Sequence, residues 1–303
     1  MPLDGSAPSA LKTAGSPIDQ FSFLESDDGY LNVLLRASGG GDGMWAAERN
    51  AGQLGLLRVP LSSFSDGRES APRSAYRALP APANGSVQNR FIGPYLLYGA
   101  GTGWRRPEPL LQPQVYAVRY ASTPTVREIP LVHGVDRIEA LGSNAVIVGS
   151  DGSDLHFTSV SLGSLPSAAG RYTRQNAAQG ETRSHGFYYR PQTDDSGLVG
   201  LPIIGGGRGA SAQLRSPSAS LLFLRNSALS LSELGTLDAR VTSTSDACVS
   251  SCVDWYGNSR PLFLKGRIFA LLGYEIVEGR LSGDRIVERQ RMSFEPHWLS
   301  NVP

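Results

Sequence analysis

Short apolar runs alternate with polar positions along nearly the whole chain, and glycine-bearing turns separate them. The stretch from Pro261, PLFLKGRIFALLGYEIVEGRLSGDRIVERQRMSF, shows this most fully. Gly266, Gly273, Gly279 and the Ser282–Gly283–Asp284 turn punctuate runs rich in β-branched and aromatic residues, which predicts successive antiparallel strands. In its last strand Ile286, Glu288 and Gln290 fall on one side and Val287, Arg289 and Arg291 on the other. One face of that strand is therefore expected to be the more solvated.

Upstream, IDQFSFLE and YLNVLLRAS flank Ser26–Asp27–Asp28–Gly29, and Asp151–Gly152 sits in the same way between NAVIVGS and LHFTSV. Asp-Gly between alternating apolar runs predicts a hairpin. ALSLSELGTL fits a strand or a helical turn, and almost no segment longer than about ten residues carries a 3.6 period. Residues 38–53 and 65–89 read as connections, and 1–17 as a flexible lead-in to a single domain over 18–303. RIEAL at Arg137 and RIFAL at Arg267 open similar glycine-punctuated stretches 130 residues apart. That is about three units of roughly 40–45 residues, the period of propeller blades. The predicted fold is all-β: a β-propeller of about six or seven four-stranded antiparallel blades.

Composition supports a folded chain. Of 303 residues 40% are hydrophobic and 18% charged, and 35 Gly with 20 Pro suit many tight turns. The net charge of +1 gives the chain as a whole no pull toward nucleic acid or anionic membranes. No nucleic-acid partner is expected. No stretch reaches the roughly 20 apolar residues needed to span a bilayer. The N-terminal MPLDGSAPSALKTAGSP lacks the basic and apolar regions of a secretory signal. Either the protein is cytoplasmic or the chain is part of a longer exported precursor.

Candidate chemistry is sparse. Cys248 and Cys252 are the only cysteines, spaced C-x3-C among turn formers. A small-loop disulfide is the favoured reading and would indicate an oxidising compartment, with a pair of free thiols as the alternative. Two cysteines without a nearby histidine make a poor zinc site. His133, His156, His185 and His297 are expected to be structural, since no HExxH, phosphate loop or nucleophile elbow accompanies them. Asp27, Asp28, Asp151, Asp154, Asp194 and Asp195 carry oxygen ligands suited to calcium, but hairpin turns select the same residues. The glycine runs at 39–43, 99–103 and 205–209 precede no helix and read as loops. No catalytic residue, metal or cofactor is assigned.

Aromatic residues beside arginines are the better candidates for binding: Trp45, Trp104 with Arg105, Tyr188 and Tyr189 with Arg190, and Trp255. Such side chains dominate binding hot spots and stack on sugar rings, and these flank loops, where propellers place ligands. Trp104, Arg105, Tyr188, Tyr189 and Trp255 are the binding residues expected, for a protein or glycan ligand. The competing reading is a glycan hydrolase with paired carboxylates in the channel, drawn from Asp136, Glu139, Asp254 and Glu275, with Glu278 close by.

Three passages resemble a known family. IDQFSFLESDDGYLNVLLRAS is similar to the segment INQFSFxExDGYLRVATT of bacterial proteins with a C-terminal β-propeller distantly related to WD-type repeats. DRIEALGSNAVIVGSDGSDLHF resembles blades of the myxobacterial members, and ACVSSCVDWYGNSRPLFLKGRIFALLGYEIVEGRL resembles their last blade. The family's acidic EADxVKxDG segment is absent, consistent with a C-terminal portion of something longer. The resemblance implies export to the cell envelope or beyond, often as a lipoprotein. It implies no activity and assigns no functional residues.

Overall fold

The computed structural model describes residues 5–37, 52–101, 112–122, 125–205, 219–240, 259–273 and 275–294. They are all-β, and sheet follows sheet along the chain. The first sheet orders Ser16–Pro17, Tyr30–Ala37, Gln53–Pro60 and Tyr76–Leu79, with Phe23–Ser26 also on Tyr30–Ala37. The second runs through Ser86–Ile92, Tyr95–Gly101, Gln114–Arg119 and Arg127–Pro130. The third holds Arg137–Leu141, Asn144–Ser150, Leu155–Ser161 and Ser167–Arg174. The fourth orders Ala177–Gln179, Ser196–Gly205, Ala219–Ser227 and Ser230–Asp238, with Tyr188–Pro191 also on Ser196–Gly205. The fifth is Ser259–Leu264, Arg267–Leu272, Glu275–Ser282 and Arg285–Ser293. A two-stranded parallel sheet joins Ala10–Lys12 to Asp66–Ser70. Consecutive antiparallel meanders of four strands are the blade unit of a β-propeller, the architecture expected from the turn spacing.

Residue contacts divide the chain into two compact units, Met1–Ile138 with Leu162–Pro166, and Glu139–Ser161 with Ser167–Pro303. In the first, Leu34, Leu54 and Leu56 pack against Leu96, Tyr98 and Val118 of the second sheet, with Tyr98 stacked on Tyr116 at 4.8 Å. The opposite face of the first sheet, Val33, Leu35, Leu57 and Val59, is covered by Leu11, Phe64, Ala71 and Tyr76. Three expectations are corrected here. Residues 10–12 and 16–17 of the supposed lead-in are strands, and 65–89 holds Asp66–Ser70, Tyr76–Leu79 and the start of Ser86–Ile92. These strands are short or polar, so no apolar alternation announces them. The pairing that orders Ala10–Lys12 lies more than fifty residues away in sequence. Gly99 and Gly101 are likewise strand and not loop. A methyl on Gly101 would collide with the Val135 carbonyl, so the bare backbone permits that close approach.

In the second unit the fourth sheet is buried on both faces. Leu222 and Leu224 join Phe157, Val146 and Val148 of the third sheet, while Leu221 and Phe223 meet Ile268, Ala270 and Val277 of the fifth. That explains the unbroken apolar run Leu221–Leu224, since a strand covered on both sides has no polar position. The fifth sheet buries only one face in these clusters, and its strand Arg267–Leu272 alternates accordingly, with Ile268, Ala270 and Leu272 inward.

The alternation expected for Arg285–Ser293 holds only for its first half. A β-bulge shifts the register between Glu278 and Gly279: Gly279 faces Glu288, but Glu278 faces Gln290. Arg289 is the extra residue, so Arg291, opposite Val277, comes to the same side as Glu288 and Ile286.

Candidate functional site

Strand Tyr188–Pro191 follows a 3₁₀ turn, Ser184–Gly186, and pairs antiparallel with Ser196–Gly205. Period two sends neighbouring tyrosines to opposite faces. Tyr189, opposite Val199, packs against the core shared by the third and fourth sheets, and its hydroxyl accepts from Asn226 Nδ2 at 3.1 Å. Gly197 makes room for it, because a methyl there would lie 2.5 Å from the Tyr189 ring. Tyr189 is thus tied into the packing of the fold.

Tyr188 and Arg190 face the other way, toward the fifth sheet. Tyr188 is 49% exposed, and its ring stacks on Phe263 at 5.4 Å with 29° between planes. Arg190 lies 5.2 Å from the Phe263 centroid, and Phe263 in turn meets the buried Phe223 edge-on at 6.3 Å. Strand Ser259–Leu264 reaches this position because Gly200, paired with Tyr188, has no side chain: a methyl there would lie 2.5 Å from Pro261 Cβ. The result is an aromatic platform with a guanidinium beside it, anchored from below. It offers a flat apolar face with one guanidinium at its side.

The approach to the platform is pinned. Glu181, 3% exposed, accepts from Arg183 Nε at 2.9 Å, Arg183 Nη2 at 2.5 Å and the Arg183 N–H at 2.8 Å, with His185 Nε2 at 3.6 Å. Burial pushes this carboxyl up, but the arginine outweighs it and holds the group below its ordinary value. A methyl on Gly186 would sit 2.7 Å from Glu181 Cγ, so the turn closes directly over the acid.

Two of the acids weighed for hydrolysis, Glu275 and Glu278, are held by arginines. Glu275 and Glu278, both 5% exposed, point to opposite faces of their strand. Glu278 takes Arg267 at 3.0 and 2.7 Å and Arg289 at 3.0 Å, and Arg267 above all holds it below the ordinary carboxylate range. A general acid requires the reverse shift. Glu275 takes Arg291 Nη1 at 2.7 Å and the Arg240 N–H at 2.8 Å. Asp136 and Glu139 are half-buried near the start of the third sheet.

The histidines and turn aspartates sit in local networks. His133 is buried, with Nδ1 2.7 Å from the Gly134 carbonyl. His156 bridges Asp151 at 2.9 Å and Thr173 at 3.0 Å. Burial opposes ionisation of Asp151, but the N–H groups of Asp154 and Ser153, with His156 and the Ser153 hydroxyl, hold it below its usual value. Asp28 pairs with Arg58 and accepts from Ser26 at 2.6 Å. Among the described residues no cluster of three or more His, Cys, Asp or Glu could hold a metal ion. Among them, too, no helix is long and apolar enough to cross a membrane. Trp45, Trp104, Arg105, Trp255, Asp254, His297, Cys248 and Cys252 lie outside the described residues.

Of the expected binding residues, then, Tyr188 stands in an exposed constellation. Phe263, its essential partner, was not singled out by the sequence. The two are 75 positions apart, and Phe263 reads locally as one more strand residue.

No protein-family model matches this chain, and no curated protein matches it. Solved structures do show a distant likeness. Apo AztD from Citrobacter koseri is 12% identical with a TM-score of 0.38, over 88% of this chain and 58% of that one. A xylan β-1,4-xylosidase from Bacillus halodurans C-125 is 10% identical with a TM-score of 0.33, over 92% of this chain and 54% of that one. The AfRom2 CNH domain is 10% identical, also with a TM-score of 0.33, over 95% and 90%. The chain therefore spans little more than half the length of the first two structures it is similar to.

Proposed function

We propose that this chain is a non-enzymatic recognition and scaffold module of an exported or envelope-associated protein, and that Tyr188, Phe263 and Arg190 form its ligand-binding group. The observation that carries this reading is the half-exposed Tyr188 ring held against Phe263 with Arg190 alongside. A large ring left at the surface yet fixed by stacking is preorganised, so little conformational freedom is lost when a partner covers it. Tyrosine and arginine are also the side chains in which binding energy concentrates. The ligand is a protein or glycan segment presenting a flat ring and a polar group for the guanidinium.

The test is binding and turnover on immobilised glycan and peptide arrays. The wild-type chain is expected to be retained without converting any ligand. Tyr188→Ala should weaken retention by about thirtyfold or more, on the hot-spot scale of at least about 2 kcal/mol, while Tyr188→Phe keeps it. Turnover of a glycan by the wild type, or unchanged retention of the alanine variant, would overturn the proposal.

The exported location rests on Cys248 and Cys252 and on the family resemblance. Thiol titration of the denatured, unreduced protein is expected to find no free thiol. Two free thiols would remove the chemical argument for an oxidising compartment.

A further inference from the structure

The net charge of +1 hides a strongly uneven distribution. In the fifth sheet the residues opposite the buried face are set by register: Leu262 with Phe269, Leu264 with Arg267, and Glu278 with Gln290. Arg280 and Arg285 fall on the same side, each one position from a core residue, Leu281 and Ile286 respectively. The turns Lys265–Gly266 and Gly283–Asp284 both lie at one end of this sheet.

That end gathers Lys265, Arg267, Arg280 and Arg285, all exposed. The two carboxylates within reach are already engaged, Asp284 by Arg225 and Glu278 by Arg267 with Arg289. Among the described residues Lys265, Arg280 and Arg285 have no acidic partner. At the edge of this row Leu264 stands 61% exposed beside the hairpin tip, where Lys265 and Gly266 both take positive φ, 48° and 78°. Leu262, 37% exposed, is on the same face.

We infer that this end of the fifth sheet docks on an anionic lipid surface. Leu264 enters the boundary between headgroups and acyl chains, and Lys265, Arg280 and Arg285 lie against headgroup phosphates. Charge complementarity asks for an acidic occupant, and the composition selects a lipid one. A projecting leucine beside a row of cations combines the two contributions that hold peripheral proteins to membranes, buried apolar area and attraction to acidic headgroups. This surface is separate from the Tyr188 platform: Phe263 points to the fourth sheet, whereas Leu262 and Leu264 alternate to the other side.

The experiment is co-sedimentation of the full chain with vesicles of phosphatidylcholine alone or with added phosphatidylglycerol. Binding is expected only to the second kind, falling as salt is raised. Each neutralised cation should cost about fivefold near the surface, so the double variant Arg280→Gln/Arg285→Gln should bind about 25-fold more weakly. Leu264→Ser should also bind more weakly and leave the salt dependence in place. Arg68→Gln, on an exposed residue of the first unit, should bind as the wild type does. Thermal melting by circular dichroism shows that each variant is folded. Absence of binding, equal binding to both vesicles, or insensitivity to the double variant would overturn the inference. So would equally tight binding to soluble polyglutamate that ignores Leu264, which would mark the surface as one for an acidic protein.

Discussion

Arg291→Ala is expected to lower the unfolding free energy by about 3 kcal/mol, read from urea denaturation followed by circular dichroism. Arg291 donates through Nη1 to Glu275 at 2.7 Å and through Nη2 to Glu288 at 2.9 Å and to the Asp238 carbonyl at 2.9 Å. Its side chain is 15% exposed and that of Glu275 6%, so truncation strands a carboxylate away from water. Burial pulls the guanidinium down, but Glu288 and Glu275 together lift it above its usual value. Much of the cost therefore belongs to the abandoned acid and not to the pair. Replacing Glu275 and Arg291 together by leucine and methionine should recover most of the loss, since apolar pairs of similar volume often match a buried ion pair. A cost below about 1 kcal/mol for Arg291→Ala is the value for an exposed pair, and would show that the cluster is hydrated in solution.

The second large effect is Phe157→Ala, with an expected loss of about 4 kcal/mol. Phe157 is fully buried where the third sheet meets the fourth, and Tyr172 lies across it at 5.7 Å. Truncation removes the ring and leaves a cavity that flanking strands, tied by their ladders, cannot close. Phe157→Leu refills most of the volume and should cost about 1–1.5 kcal/mol. Equal losses from the two variants would mean that the ring is not packed as the distances indicate.

Local chemistry made much of the fold legible. Asp28–Gly29 and Asp151–Gly152 each join two paired strands, and Gly29 and Gly152 take φ of 79° and 100°, which glycine adopts without strain. ALSLSELGTL is strand Ser230–Asp238 with the turn before it, because its partner Ala219–Ser227 is present to pair with it. What stayed hidden depends on distant partners. The bulge at Arg289 cannot be read from a regular alternation, so Glu288 and Arg291 were assigned to opposite faces and their ion pair went unseen. Glu275 and Glu278 looked like available acids because the arginines that occupy them are 16 and 11 residues away. Tyr188 stands out in the sequence because an aromatic beside an arginine is conspicuous. Its stacking partner Phe263 does not, because only the fold brings the two rings together.

The strand Ala10–Lys12 bears on where this chain can be cut. A fragment starting at Ile18, the boundary suggested by composition, would lose Leu11 from the cover over Val33, Leu35, Leu57 and Val59. It would also leave Asp66–Ser70 without the backbone partner that now occupies one of its edges. An uncovered sheet face beside an unpaired strand is a template on which other copies can assemble. Nicking before Lys12 would then turn the fold into a seed for aggregation, so an expression clone should begin well upstream of Ala10.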